Sequence, residues 1–382
     1  MTPWDAVIVG AGPAGSAAAT ILAGANRRVL VLEKDRFPRA KVCGQFLSGD
    51  ALRSLERIGA RRAVESCGGD RIEEGSVHLP GGGAVAFRLP APALGISRWR
   101  LDDLLATRAR EAGAHVRFSV RVVSMSGSPE EGFVLRFSSA EGDEEEVRAR
   151  AIVGGWGRWD ALDKRLDRRF LRRKRYFGWS RDYVGDTGAL SGKVRLYLFR
   201  GGYCGLSLVE GGSANLAGVI SETSRRAVGG TWEDVVVHAR RSNGALDADL
   251  ANLEPGPRGF LGTVPVVFTA KPPTESGMLM VGDAAGVIDP FAGQGQAGAL
   301  ASGILAGETI LNLLDSRVSA ERFPAAYRAA WRRRFASPFA WSARLRQLML
   351  DPTLGTIAAR IGGPALVRFG IRHLSRGRDG VS

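Results

Sequence analysis

An α/β fold is predicted by three observations on this 382-residue sequence. An apolar run at residues 5–10 (DAVIVG) ends on glycines, and a helix-forming stretch at 14–25 and a second apolar run at 28–32 (RVLVL) follow it. Strand, helix and strand in that order make a parallel βαβ unit. Three further strand-like runs, at 194–199, 203–209 and 214–220, succeed one another closely and read as an antiparallel sheet. From about residue 320 the pattern is helical and basic. The predicted architecture is therefore a Rossmann-like nucleotide-binding domain interleaved with an antiparallel-sheet substrate domain, plus C-terminal helices.

The elements between these landmarks follow in order. The glycine run at 81–83 and the segment around Pro90 and Pro92 read as turns between short strands, and residues 101–112 (LDDLLATRAREA) carry a helical pattern. Strand patterns at 115–119, 134–138 and 147–153 return the chain to the first domain. A later apolar run, 278–281, ends at Gly282-Asp283, and residues 296–314 read as one long helix. The expected division is 1–75, 98–170 and 270–310 for the nucleotide-binding domain, 76–97 and 171–269 for the substrate domain, and 311–382 for the helical extension.

Composition narrows the function. Hydrophobic residues make up 45% and charged residues 24%, a globular balance that argues against disorder and against a membrane-buried chain. Cys43, Cys67 and Cys204 are too far apart for a CxxC pair and odd in number, which predicts neither a metal site nor a disulfide framework and fits a reducing cytoplasm. No secretory signal and no uninterrupted apolar run of about 18 residues is expected to send the chain out or across a bilayer. The net charge of +14 is concentrated at 165–175 and from Arg328 onward. Solvated faces explain such runs, and peripheral contact with an anionic membrane on its inner face is the sharper alternative. No nucleic-acid module is present in the pattern. Nothing sets an oligomeric state.

Chemistry enters with Gly10-Ala11-Gly12-Pro13-Ala14-Gly15. A lone GxGxxG is weak, but this one follows a strand and opens a helix. Gly10 allows the tight turn, Gly12 the approach of a pyrophosphate, and Gly15 close packing of helix on strand, while the helix N-terminus supplies amide donors to phosphates. With Ala14 these are candidate cofactor contacts. Glu33, eighteen residues beyond Gly15, ends the second strand where a carboxylate accepts ribose hydroxyls. The fingerprint does not separate NAD from FAD. A second strand end at Gly282-Asp283-Ala284-Ala285-Gly286 favours FAD, whose ribityl chain needs a hydroxyl acceptor such as Asp283 and whose ring gains from a helix N-terminus. Gly293-x-Gly295-x-x-Gly298 follows DPFA, not a buried strand, and is not read as a second dinucleotide site.

The segments VIVGAGPAGSAAA, FPRAKVCGQFLS, ISRWRLDDLL and MLMVGDAAGVIDPFAGQGQ resemble the superfamily of FAD-dependent class A monooxygenases, flavin halogenases and geranylgeranyl reductases. Lys41-Val42-Cys43-Gly44 looks like the K-x-C-G element of the geranylgeranyl reductase branch. The resemblance implies FAD contacts at Lys41, Val42, Gly44, Arg98, Asp283, Gly295 and Gln296, an adenine neighbour in Val122, and a candidate catalytic residue in Cys43. The bland alternative for Cys43 is a small buried hydrophobe. No histidine is assigned a general-base role.

Two departures qualify the resemblance. Trp156 stands where the superfamily usually carries an aspartate associated with FAD and nicotinamide binding, which leaves NAD(P)H open as the electron donor. In Tyr203-Cys204-Gly205-Leu206-Ser207-Leu208 only the tyrosine of a Tyr-x-Trp-x-Phe-Pro prenyl-channel element remains. The absence of a Trp-x-Trp-x-Ile-Pro stretch disfavours a halogenase. The implied function is FAD-dependent redox chemistry on a hydrophobic substrate (isoprenoid, lipid-like or polyketide), with double-bond reduction favoured. Hydroxylation of an aromatic or polyketide substrate and a non-catalytic FAD-binding partner are the alternatives.

Overall fold

The computed structural model describes residues 2–168 and 175–350. Two sheets organise them. The first has eight strands, six of them in the spatial order Thr274–Glu275, Met278–Met280, Glu144–Gly154, Trp4–Val9, Val29–Leu32 and His115–Arg117. Trp4–Val9 lies parallel to both neighbours, with Ala6 opposite Val29 on one side and Ala151 on the other. Ala6, Val7 and Ile8 are fully buried, as expected of a central parallel strand covered on both faces, and this is why the run is apolar without alternation. The hairpin of Arg121–Ser128 and Gly132–Ser138 extends this sheet from Glu144–Gly154.

The second sheet has nine strands, with Tyr176–Gly185, Ala214–Ser221, Gly202–Leu208, Lys193–Phe199, Asp70–His78 and Ala84–Gly95 adjacent in that order. Its pairs are antiparallel except one: the three strands that the sequence pattern reads as an antiparallel sheet pair that way, and Lys193–Phe199 also runs parallel to Asp70–His78, a pairing the pattern does not predict. The turn expected around Pro90 and Pro92 is also corrected, because Ala84–Gly95 is a single 12-residue strand. Its register against Asp70–His78 jumps between the Ile72–Ala93 and Glu74–Arg88 pairs. The prolines fall inside that irregularity, where no ladder amide is required of them.

Helix Arg98–Glu111 starts three residues before its predicted start because Ser97 Oγ accepts the amide of Arg100 and sets the cap. Helix Gly295–Leu314 lies against helix Pro13–Gly24 at close range: a Cβ on Gly303 would stand 2.0 Å from the Ala14 carbonyl oxygen. By length and composition Gly295–Leu314 could cross a membrane, but it is a core helix here, about two-thirds buried (67%). Tyr327, Trp331 and Phe335 of helix Phe323–Leu350 are buried in the same core. The first part of the basic tail therefore packs on its own chain. Leu354, Ile357, Arg360, Ile361, Leu366, Arg368, Phe369 and Arg372, which the sequence pattern also places in an amphipathic tail, lie outside the described residues, as does 169–174 of the earlier basic run.

Candidate functional site

Two adjoining cavities lie at the C-terminal ends of the parallel strands and between the sheets. The smaller, about 340 Å³, is lined by Gly10, Glu33 and Val122, and the larger, about 390 Å³, by Cys43, Asp283 and Gln296. Gly12, Lys41, Val42, Gly155 and Arg158 line both. The passage between the cavities thus runs over the opening of helix Pro13–Gly24, whose first amides face it unpaired within the helix.

The glycine fingerprint divides its labour by contact. Gly10 has φ +102, and a Cβ there would meet the Gly155 carbonyl oxygen at 2.5 Å. On Gly15 a Cβ would stand 1.8 Å from the Gly10 carbonyl oxygen, so Gly15 serves helix-on-strand packing and lines neither cavity. A Cβ on Gly12 meets no protein atom within 4 Å and would project into the passage. Glu33 is buried; its Oε2 accepts the Ala11 amide at 2.7 Å and its Oε1 the Asp35 amide at 2.9 Å. One lone pair on each oxygen stays available for a ligand hydroxyl. Ala14 lines the larger cavity beside Gly282, whose own Cβ would lie 3.1 Å from that of Ala14.

The second half of the site gathers around Asp283. Arg158 Nε lies 3.8 Å from Asp283 Oδ2. Lys41 lines both cavities among Arg39, Arg98 and Arg158. Burial first and these cations second push its ammonium down to about 8 from 10.5, against the pull of Asp283. Arg98 is buried and engages Asp102 with Nε and Nη2, each at 2.6 Å, while Arg39 Nη1 reaches Asp102 Oδ2 at 3.1 Å. Burial opposes the Arg98 charge and Asp102 more than restores it. A cation-rich passage with one carboxylate on its far side suits a ligand that carries a pyrophosphate in the middle and hydroxyls at either end.

Cys43 is half-buried, not sealed in a core. Its Sγ accepts from the Gln45 amide and from Gln296 Nε2, both at 3.3 Å, and its carbonyl oxygen accepts from Asn215 Nδ2 at 3.2 Å. Gly295 opens helix Gly295–Leu314 at this point, and Gly44 forms part of the same wall. Of the fourteen residues singled out from sequence, all but Gly15 line one or both cavities. Sequence reasoning missed Arg158 and Arg39. The signal for Arg158 was its place just after the Glu144–Gly154 strand, since ligands bind outside the carboxyl ends of parallel strands.

Comparison with known proteins agrees with this geometry. A family model described as "FAD binding domain" matches residues 4–183. A menaquinone reductase of Mycobacterium tuberculosis is 29% identical, with 97% of this chain and 90% of the relative covered. A digeranylgeranylglycerophospholipid reductase of Methanopyrus kandleri is 27% identical, covering 99% of this chain and 94% of the relative. In fold the chain is similar to a flavin-dependent brominase (TM-score 0.83, 20% identity, 99% of this chain and 94% of that one) and to the myxobacterial chondrochloren halogenase (TM-score 0.80, 20% identity, 100% and 91%).

Proposed function

We propose that the chain, an FAD-dependent oxidoreductase similar to the reductases of menaquinone and of digeranylgeranylglycerophospholipid, reduces a carbon–carbon double bond in an isoprenoid or similarly lipid-like substrate. The observation that carries this reading is the larger cavity. Its far wall presents Phe87, Leu196 and Val219 from the second sheet, with Phe268 beside them, so an apolar chain finds apolar contact there. The near wall holds Cys43 and Gln296. The relatives named as reductases of menaquinone and of digeranylgeranylglycerophospholipid act on molecules of this class.

In this assignment Gly10, Gly12, Ala14, Glu33 and Val122 hold the adenosine and pyrophosphate of FAD, and Lys41, Val42, Gly44, Arg98, Asp283, Gly295 and Gln296 hold the flavin half. The bound cofactor supplies the electron pair. Saturating a double bond also requires a proton on the second carbon, and we assign its delivery to Cys43 Sγ–H. The two donors aimed at the sulfur fill its acceptor side and leave the S–H free to point into the cavity. The apolar wall keeps water from competing for that position. The exposed arginines of helix Phe323–Leu350 (Arg332, Arg333, Arg344) add a proposed peripheral contact with an anionic bilayer, from which such a substrate would be drawn.

The test is anaerobic. Dithionite-reduced protein mixed with menaquinone or a geranylgeranyl lipid should reoxidise and give a product heavier by two hydrogens in its isoprenoid part. Cys43→Ser should slow that step at least about tenfold with FAD content unchanged. No reoxidation by the substrate without air, followed by an oxygen atom in the product once oxygen is admitted, would replace the reductase reading by hydroxylation.

A further inference from the structure

Trp156 occupies a position on the wall of the smaller cavity, and its indole is committed inward. Nε1 donates to Asp163 Oδ2 at 3.2 Å. Asp163 sits in the short helix Ala161–Arg165, capped by Asp160, whose own amide donates to the same oxygen at 3.1 Å. The other oxygen, Oδ1, accepts Arg168 Nη1 at 2.9 Å. Arg168, with its side chain fully buried, then reaches across with Nη2 to the carbonyl oxygens of Pro272 and Ala284, both at 2.9 Å. Ala284 is the residue next to Asp283. Lys271 completes the frame: its amide donates to the Ala285 carbonyl and its Nζ to the Arg158 carbonyl, at 2.9 and 2.7 Å.

We propose that Trp156, Asp163 and Arg168 are positioning residues that couple the adenosine half of the cofactor site to the turn carrying Asp283. The two halves come from strands far apart in sequence, and within the site itself they meet at the passage lined by Gly12, Lys41, Val42, Gly155 and Arg158. A buried carboxylate that accepts from one half and holds a guanidinium clamped on the other fixes their separation from behind, where solvent does not compete. The tryptophan is suited to this: it supplies one buried N–H donor, and its ring covers Gly154, on which a Cβ would lie 2.4 Å from the ring. A carboxylate therefore stands behind the tryptophan, at Asp163, and acts on the site through the protein.

This rests on the assignment of both cavities to one FAD, and the experiment separates the two claims. Gly12→Val tests the assignment alone, since it blocks the passage without touching the network; FAD retained there at full stoichiometry would withdraw it. The network is tested with Trp156→Phe, Asp163→Asn and Arg168→Lys. Each should weaken FAD binding about tenfold, the scale of one buried charge-assisted contact, and shift the visible circular dichroism of the flavin. ADP binding to the apoprotein should stay within about twofold, because ADP reaches only the adenosine half. The Trp156→Phe, Arg168→Lys double variant should bind FAD no more weakly than the worse single one, as expected for members of one network. Multiplying losses in the double variant, or ADP affinity falling in parallel with FAD affinity, would overturn the proposal. Trp156→Phe removes one neutral donor and keeps the Asp163–Arg168 ion pair, so it gives a folded variant even where Asp163→Asn or Arg168→Lys does not.

Discussion

Lys41 shows how a binding residue can oppose its own fold. Unfolded, its ammonium titrates near 10.5; folded, burial and the neighbouring arginines bring it down to about 8. Below 8 both states are protonated and the full cost of the buried charge is present. As pH rises from 8 to 10.5 only the folded state has released its proton, so the cost fades. Lys41→Met should therefore stabilise the apoprotein at pH 7 by about 1–3 kcal/mol, allowing for the solvent that reaches this partly buried group, and the gain should shrink toward pH 10.5. The same variant should bind FAD less tightly, because the cation-rich passage loses a member. A melting-temperature series against pH, with a flavin titration beside it, checks both signs. Loss of apoprotein stability at pH 7 would show that the charge is compensated within the fold. Asp283 acts in the other direction. Asp283→Ala removes an acceptor and leaves Arg158 without its carboxylate, so FAD affinity should fall by about 1.5–3 kcal/mol. An unchanged affinity in that titration would place the flavin half of the site elsewhere.

At the scale of elements, the site depends on how closely two helices approach. Helix Gly295–Leu314 packs its middle against Pro13–Gly24 because Gly303 and Gly307 present no side chain there: a Cβ on Gly303 would stand 2.0 Å from the Ala14 carbonyl oxygen, and one on Gly307 would stand 2.9 Å from Ile21. Gly303→Ala should cost about 1–3 kcal/mol by overpacking and lower FAD content together with stability, since the added methyl pushes helix Gly295–Leu314 off the first turn of Pro13–Gly24. Full FAD content with a normal melting temperature would show that the contact has slack. The strands and helices that carry the cofactor motifs were legible in sequence because glycines and apolar runs act locally at them. Arg98–Glu111 was legible except at its cap, where Ser97 outweighed the apolar pattern. The parallel pairing of Lys193–Phe199 with Asp70–His78 was not, because partner choice between strands far apart in sequence leaves no local periodicity. The strand through Pro90 and Pro92 failed for the opposite reason: proline is a strong local turn signal, and only the register jump beside it makes a strand possible there. At the site, the Trp156, Asp163 and Arg168 contacts were hidden since each residue looks ordinary alone.

Across the whole molecule the two sheets face a common cavity, with the tail helix Phe323–Leu350 bound to the rim of that arrangement. Arg346 lies over the rings of Tyr176 and Phe268, at 5.7 and 5.3 Å, and its Nη1 is 3.5 Å from Asp289 Oδ2. Asp289 in turn accepts the Tyr203 hydroxyl at 2.5 Å, and Tyr203 lines the larger cavity. Arg346 therefore braces the cavity wall from behind, and it cannot serve a bilayer without leaving these contacts. Arg332, Arg333 and Arg344 are exposed on the same helix, with Arg344 stacked over Trp341 at 5.4 Å. If this face rests on a membrane, attraction to anionic headgroups should supply roughly 1 kcal/mol per arginine and fade as salt screens it. Co-sedimentation with phosphatidylglycerol vesicles should then be strong at low salt, weak at high salt, and greatly reduced by the combined changes Arg332→Gln, Arg333→Gln and Arg344→Gln with FAD content intact. Arg346→Gln should instead disturb substrate turnover and leave sedimentation unchanged. Equal binding to neutral vesicles would assign the contact to apolar residues, and no binding at low salt would return the whole basic face to solvent.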